Sequence, residues 1–160
     1  MRDGTRVLIR ALRPQDAALY PDFIAHVTAD DMRLRLFGPV REIGPEMIER
    51  LTHFDPAHAF ALIAIDEASG HMLGVVRLHN DPDDRAGEFA VQVRSHLKGQ
   101  GLGWMLMQQM IAAARQRGVR RIHGQVLREN VTMLQMCREL GFHVSDDPDD
   151  TSVEQVTLPL

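Results

Sequence analysis

The apolar positions of this chain switch between two periods, and each switch marks the edge of an element. Thr5 to Leu12 alternates apolar and polar residues and reads as a first strand, closed by Arg13-Pro14. A helical pattern follows from about Gln15 to Val27, which Pro21 must either kink or divide, since proline lacks the N–H a helix interior needs. Thr28 and Asp31 have the spacing of a capping box ahead of a short helix through Leu36. Pro45 suits the first position of another helix to about Thr52, with Met47, Ile48 and Leu51 on its apolar side. The pattern then turns to strands. Phe60 to Ile65 is a continuous apolar run, Asp66-Glu67-Ala68-Ser69-Gly70 a turn, and Met72 to Leu78 the partner strand of a hairpin. A loop from Asp81 to Gly87 leads into a strand from Glu88 to Val93, with Phe89, Val91 and Val93 on one face and Glu88, Ala90 and Gln92 on the other.

Helical spacing returns with Leu102, Met105, Leu106, Met110 and Ala113, in a helix from about Trp104 to Arg117 ended by Gly118. Arg121 to Leu127 reads as a strand. Asn130 then caps a helix that turns Met133, Leu134, Cys137 and Leu140 inward and stops at Gly141. Phe142 to Ser145 and Val153 to Leu158 pair as a last hairpin. Antiparallel strands followed by a strand–helix–strand–helix portion predict a mixed α/β (α+β) sheet with flanking helices. With no internal repeat or linker, residues 1–160 read as one domain.

Between the strand ending at Val93 and the following helix lies Arg94-Ser95-His96-Leu97-Lys98-Gly99-Gln100-Gly101-Leu102-Gly103-Trp104. Glycines at alternate positions let a ligand approach the backbone without Cβ obstruction. A helix start also carries unpaired N–H groups and about half a positive charge, which makes this junction an anion site. No Lys-Ser or Lys-Thr follows the glycines, so it is not a Walker A loop. The third glycine also falls one residue early for the dinucleotide fingerprint. A phosphate cradle is the expectation; the plain alternative is a tight corner.

Composition narrows the partners. The formal charge of −4, with 18 basic residues scattered along the chain, argues against nucleic acid. No apolar run has the length of a membrane span, and no signal core opens the chain, so a cytoplasmic setting is expected. Cys137 is the single cysteine, which excludes an internal disulfide and a cysteine-based zinc site. The eight histidines show no ligand spacing, so no metal is expected. Asp81, Asp83 and Asp84 form one acidic loop and Asp146, Asp147, Asp149 and Asp150 another; these are turn-formers that could also attract a basic substrate.

The glycine loop and the order of elements resemble the GNAT superfamily of acyl-CoA-dependent N-acetyltransferases. The family pattern Gln/Arg-x-x-Gly-x-Gly/Ala falls on Lys98 to Gly103, departing from it at Lys98, and an Asn-led helix ending in Leu-Gly-Phe falls on Asn130 to Leu140-Gly141-Phe142. Two narrower segments, Leu8 to Asp16 and Arg33-Leu34-Arg35-Leu36-Phe37, together with Gly87 to Ser95, look like the Pat-type protein lysine acetyltransferases. The resemblance implies a GNAT fold: a mostly antiparallel central sheet with one splayed strand pair. It implies acetyl-CoA as co-substrate and a primary amine as acceptor, preferably a lysine-bearing protein, and it admits a homodimer. A small-molecule amine acceptor and a non-catalytic acyl-CoA sensor are the alternatives.

The same resemblance assigns residues. Glu88 would be the general base, with partial burial raising its pKa. Val91 and Val93 would offer backbone groups to pantetheine and the thioester oxygen. Gly99, Gln100, Gly101, Leu102, Gly103 and Trp104 would offer N–H groups to the pyrophosphate. Lys98 would either aid the phosphate or stand as a surface lysine, and Asn130 would touch pantetheine while capping its helix. Cys137 stands where many relatives place a tyrosine general acid. Either its thiol, solvent or another residue protonates the leaving thiolate, or it simply fills the core. Acceptor choice is expected in the loops around Arg33 to Arg41 and Asp81 to Gly87.

Overall fold

The computed structural model describes residues 1–36, 44–83 and 85–160, with the side chains of residues 35 and 36 outside that description. Phe37 of the Pat-like segment, Asp84 of the acidic loop and most of the expected acceptor loop after Arg33 therefore lie outside the described residues. Seven strands form one sheet in the order β1-β2-β3-β4-β5-β7-β6. They are β1 (Val7–Ala11), β2 (Ala59–Asp66), β3 (Met72–Asn80), β4 (Ala86–Val93), β5 (Arg121–Leu127), β6 (His143–Asp146) and β7 (Val153–Pro159). Every neighbouring pair is antiparallel except β4 and β5. The mixed sheet matches the expectation from the sequence.

The helices are α1 (Tyr20–Ala25), α2 (Ala29–Leu36), α3 (Pro45–Thr52), α4 (Leu102–Gln116) and α5 (Val131–Glu139). Pro21 divides the first helical stretch: a 3₁₀ turn from Pro14 to Leu19 precedes α1, and proline sits in the first turn of α1, where its missing N–H costs nothing. The helix α4 starts two residues earlier than its apolar spacing indicates, because Gly101 is the cap. Its inward stripe is Leu102, Leu106, Met107, Met110, Ile111 and Ala114, so Met105 and Ala113 flank the core rather than form it.

Strand alternation sorts the core onto two faces. On one, Val76, Leu78, Phe89, Ile122, Val126, Val156 and Leu158 pack against α4 and α5. On the other, Ala61, Ile63 and Val75 pack against Tyr20 and Phe23 of α1, with Ile48 and Leu51 of α3 beside them. The buried Arg77 ties that second layer together, donating to Tyr20 Oη at 2.7 Å and to the Leu51 carbonyl at 3.1 Å. The charges of the Pat-like segment Leu8 to Asp16 are structural. Arg10 forks onto Asp16 at 2.8 Å through both nitrogens, and the Arg13 N–H donates to the same carboxylate at 2.7 Å.

Candidate active site

The parallel pair β4–β5 sets the site. Its register runs only through Ala86↔Arg121, Gly87↔Ile122 and Glu88↔His123, and beyond Glu88 the two strands part. On its other edge β4 stays paired to β3 as far as Val93↔Gly74. The Arg94 N–H continues that ladder to the Leu73 carbonyl at 3.0 Å. Hydrogen-bonding direction alternates along an antiparallel strand, so Glu88, Ala90 and Gln92 turn their backbone groups to β3, while Phe89, Val91 and Val93 turn theirs into the gap. Just past the last register pair, a Cβ on Gly124 would stand 2.6 Å from Cε1 of Phe89, so the phenyl ring occupies the space a side chain on β5 would need.

The gap opens into a cleft of about 1100 Å³ that runs from Glu88 and Gln92 past Val91 and Val93 to the glycine loop and the start of α5. At the loop, Gly99 and Gly101 take φ of 85° and 87°, the left-handed region that glycine enters without penalty, and a Cβ at Gly101 would meet no protein atom within 4 Å. That empty space is what a ligand lying against the backbone requires. Among the described residues, the N–H groups of Gly99, Gly101, Leu102, Gly103 and Trp104 have no protein acceptor. They converge at the N-terminus of α4, where the helix dipole favours an anion.

One of the expected backbone donors is corrected by this geometry: the Gln100 N–H is spent on the Leu97 carbonyl at 3.2 Å. Leu102 buries its side chain in the core and has only its backbone to offer. The Lys98 ammonium is likewise engaged, 2.5 Å from Asp31 on α2. It is therefore not an isolated surface lysine, and it also lines the cleft. Asp31 was expected to complete a capping box with Thr28. Only half of that box forms: Thr28 Oγ1 accepts from the Asp31 N–H at 3.2 Å, while the Thr28 N–H donates to Ser95 Oγ at 2.8 Å. The Asp31 carboxylate is thereby left to Lys98.

Arg33 of the same helix pairs with Glu129, one residue before Asn130. The helix α2 is therefore tied through Asp31 to the glycine loop and through Arg33 to the residue before the α5 cap. A second cation joins the cradle from the chain start, where Arg2 donates through Nη1 to the Gly99 carbonyl at 3.1 Å. Arg2, Asp31 and Leu34 all line the cleft. Linear sequence could not reveal these partners, because each pair is separated by more than sixty residues.

Asn130 fills both expected positions. Its Oδ1 accepts from the Met133 N–H at 3.3 Å as the α5 cap, and the residue lines the cleft. Trp104 lines it too, half-buried. Gln92 also lines the cleft, and its Oε1 is buried with no partner among the described residues. Glu88 stands at the apex where β4 and β5 part, on the cleft wall, but its side chain is exposed. The expected partial burial is absent.

Cys137 requires a correction as well. It is fully buried among the α4–α5 core residues and is not part of the cleft wall, and burial pushes its thiol up to about 12. A thiol enclosed in the core has no path to a leaving group in the cleft, so packing accounts for this residue. The acidic loops prove to be turn-builders. Asp147 accepts from the side-chain amides of Gln125 and Gln155, each at 3.2 Å, and from the Asp149 N–H at 2.9 Å, while Asp83 accepts from the Arg85 N–H at 3.1 Å. Among the described residues no cluster of His, Cys, Asp or Glu is arranged to hold a metal, and no helix is long and apolar enough to cross a membrane.

The architecture is a mixed sheet with one parting parallel pair that opens beside a glycine-capped helix N-terminus. The Acetyltransferase (GNAT) family model matches residues 26–142, and the chain belongs to that family, whose members use acetyl-CoA. It is 30% identical over 152 residues to an acetyltransferase of Pseudomonas aeruginosa, covering 94% of this chain and 82% of that protein. The GNAT domain of S. lividans PAT superposes with a TM-score of 0.90 at 24% identity, covering 99% of this chain and 93% of that one. A cAMP-binding acyltransferase from Mycobacterium smegmatis superposes at 0.67 and 23% identity, this chain spanning 45% of its length. At those identities the two structures attest the fold.

Proposed function

We propose that this protein transfers acetyl from acetyl-CoA to a primary amine, preferably a protein lysine side chain, by direct attack within a ternary complex. The observation that carries the reading is the position of Glu88: it is the last residue held in register between β4 and β5, and it stands at the head of the gap. Acetyl-CoA would lie with its pyrophosphate on the N–H groups of Gly99, Gly101, Leu102, Gly103 and Trp104. Its pantetheine arm would run along Val91 and Val93, beside Asn130 and the unpartnered Gln92 Oε1.

A lysine amine with a reference pKa near ~10.4 is neutral in only about one molecule in a few thousand at pH 7. Glu88 would accept the proton as the amine attacks, which avoids waiting for that rare form. A backbone N–H of Val91 or Val93 aimed into the gap would stabilise the oxyanion, charge that exists only on the way to product. With Cys137 enclosed in the core, the departing thiolate would take its proton from water. The preference for a protein lysine is supported by the Pat-like segment Gly87 to Ser95, which contains Glu88.

Acetyl-CoA titration by calorimetry, followed by thiol release against lysine-bearing proteins and small amines, tests this reading. Glu88→Gln should leave acetyl-CoA affinity within twofold, as an order-of-magnitude bound, and lower turnover at least about tenfold. Turnover confined to small amines would reassign the acceptor. Binding without turnover on any acceptor would make the protein an acyl-CoA sensor.

A further inference from the structure

The carboxylate of Glu88 does not stand alone on its face of the sheet. Its register partner in β5 is His123 and its partner in β3 is His79, so both imidazoles share its face. His123 is half-buried and held by Asp81, whose two carboxylate oxygens lie 2.9 and 3.1 Å from Nε2. Asp81 comes from the turn between β3 and β4, and its own N–H is fixed to the Ala86 carbonyl at 2.8 Å. The dyad is thus anchored to the two strands that present Glu88.

A carboxylate only accepts, so Nε2 carries the hydrogen and the lone pair of neutral His123 sits on Nδ1. Among the described residues Nδ1 has no partner. Other ionisable groups near this face are placed among the described residues. Arg121 lies two residues before His123 on the same side of β5 and is exposed. Across β7, Thr157 separates His123 from His143 on β6. The helix α2, packed over β4 and β5, brings Asp30, Asp31 and Arg33, which are engaged with Arg33, Lys98 and Glu129 respectively.

We propose that His123, oriented by Asp81, is a positioning and proton-relay residue that acts through Glu88. The role rests on Glu88 being the base. In the forward direction the attacking amine gives its proton to a Glu88 oxygen as the C–N bond forms. The Glu88 O–H then passes that proton to Nδ1 of His123, directly or across one water, and the imidazolium releases it to solvent. Glu88 returns to carboxylate, Asp81 remains an anion throughout, and no electron changes hands. Asp81 favours the step because it holds the imidazole in one tautomer and opposes the charge that appears on it. A neighbouring imidazole whose Nδ1 has no partner among the described residues gives the proton taken up by Glu88 a way out of the site.

The test is the pH profile of kcat and kcat/KM for amine acetylation in wild type, His123→Gln and Asp81→Asn, with the acetyl-CoA Kd of each measured by calorimetry. His123→Gln should keep its Kd within about twofold, lose on the order of tenfold in kcat, and lose the corresponding limb of the profile. Asp81→Asn should lose less, in the same direction. Added 4-methylimidazole should restore turnover to His123→Ala, which a merely structural histidine would not allow. Profiles that superimpose on wild type, or a loss with no rescue in a folded variant, overturn the relay while leaving Glu88 in place. A wild type that binds acetyl-CoA and acetylates nothing overturns the proposed function, and the relay with it.

Discussion

The two walls of the cleft are built on opposite principles. The wall of the glycine loop and α4 presents backbone: five N–H groups without protein acceptors, left-handed glycines, and side chains such as Leu102 turned away into the core. The wall around Glu88 presents side chains: the Glu88 carboxylate with Gln92 and Gln125, while the imidazoles of His79 and His123 are its register neighbours on the adjoining strands. A backbone wall is indifferent to most residue identities and demands only that some positions lack a Cβ. A side-chain wall demands particular residues at positions brought together by register. The first suits a ligand common to a whole family, and the second suits an acceptor that differs from one member to the next.

The comparison breaks most easily at Gly101. Its φ of 87° is costly for any L-residue, about 1–2 kcal/mol, and the space before its Cα is empty of protein. Gly101→Glu adds to that strain a carboxylate at the helix start, where a phosphate would have to stand, so acetyl-CoA affinity should fall on the order of a hundredfold. Gly101→Ala, which adds strain without charge, should fall by much less. Equal losses in the two variants would mean that conformation alone, not anion recognition, makes this wall.

A second break lies where the walls separate. Gly124→Ala places a methyl 2.6 Å from the Phe89 ring, and the ring is itself packed against Phe142 with centroids 5.5 Å apart, so it has little room to yield. The cost in urea unfolding should be about 1–3 kcal/mol. Phe89→Leu in the same chain should recover part of it, since the two positions share one contact. If the double variant is no more stable than Gly124→Ala alone, the ring is not what fills the space beside β5.

The same contrast explains what could be read from the chain. The glycine loop was legible because a backbone site writes itself as a local run: Gly99, Gly101 and Gly103 fall within five residues, between a period-two segment and a period-3.6 segment. Glu88 was legible only through its place just before that loop. The pairings Lys98–Asp31, Arg33–Glu129 and Asp81–His123 were not, because they join residues 42 to 96 apart and no local period records them. Cys137 was half legible: helical spacing put it on the inward side of α5 with Leu134, while only the structure shows that this burial closes off the general-acid option. The capping box misled, since Ser95 takes the N–H that Asp31 would have bonded.

The smallest effect expected, and the finest discriminator between the walls, concerns the ion pair that joins them. Burial works to raise the Asp31 pKa, but the hydrogen bonds from Lys98, Ser95 and Thr28 and the Lys98 charge outweigh it, so the group titrates below its ordinary value. A carboxylate whose folded pKa lies below its unfolded one, near ~3.9, contributes in full above that value and loses its contribution as pH falls through the folded pKa. Because Lys98 is well exposed, the contribution should be below about 1 kcal/mol. The Tm advantage of wild type over Asp31→Asn should therefore be small and constant above about pH 5 and shrink toward pH 3. An advantage that grows on acidification would have the wrong sign for this pair. Since the lysine is already committed to Asp31, Lys98→Gln should weaken acetyl-CoA binding only about two- to threefold, an effect of the size exposed charges produce. A tenfold loss would mean that phosphate draws Lys98 away from Asp31. The coenzyme would then loosen α2 as it binds, and the two walls would be coupled rather than merely joined.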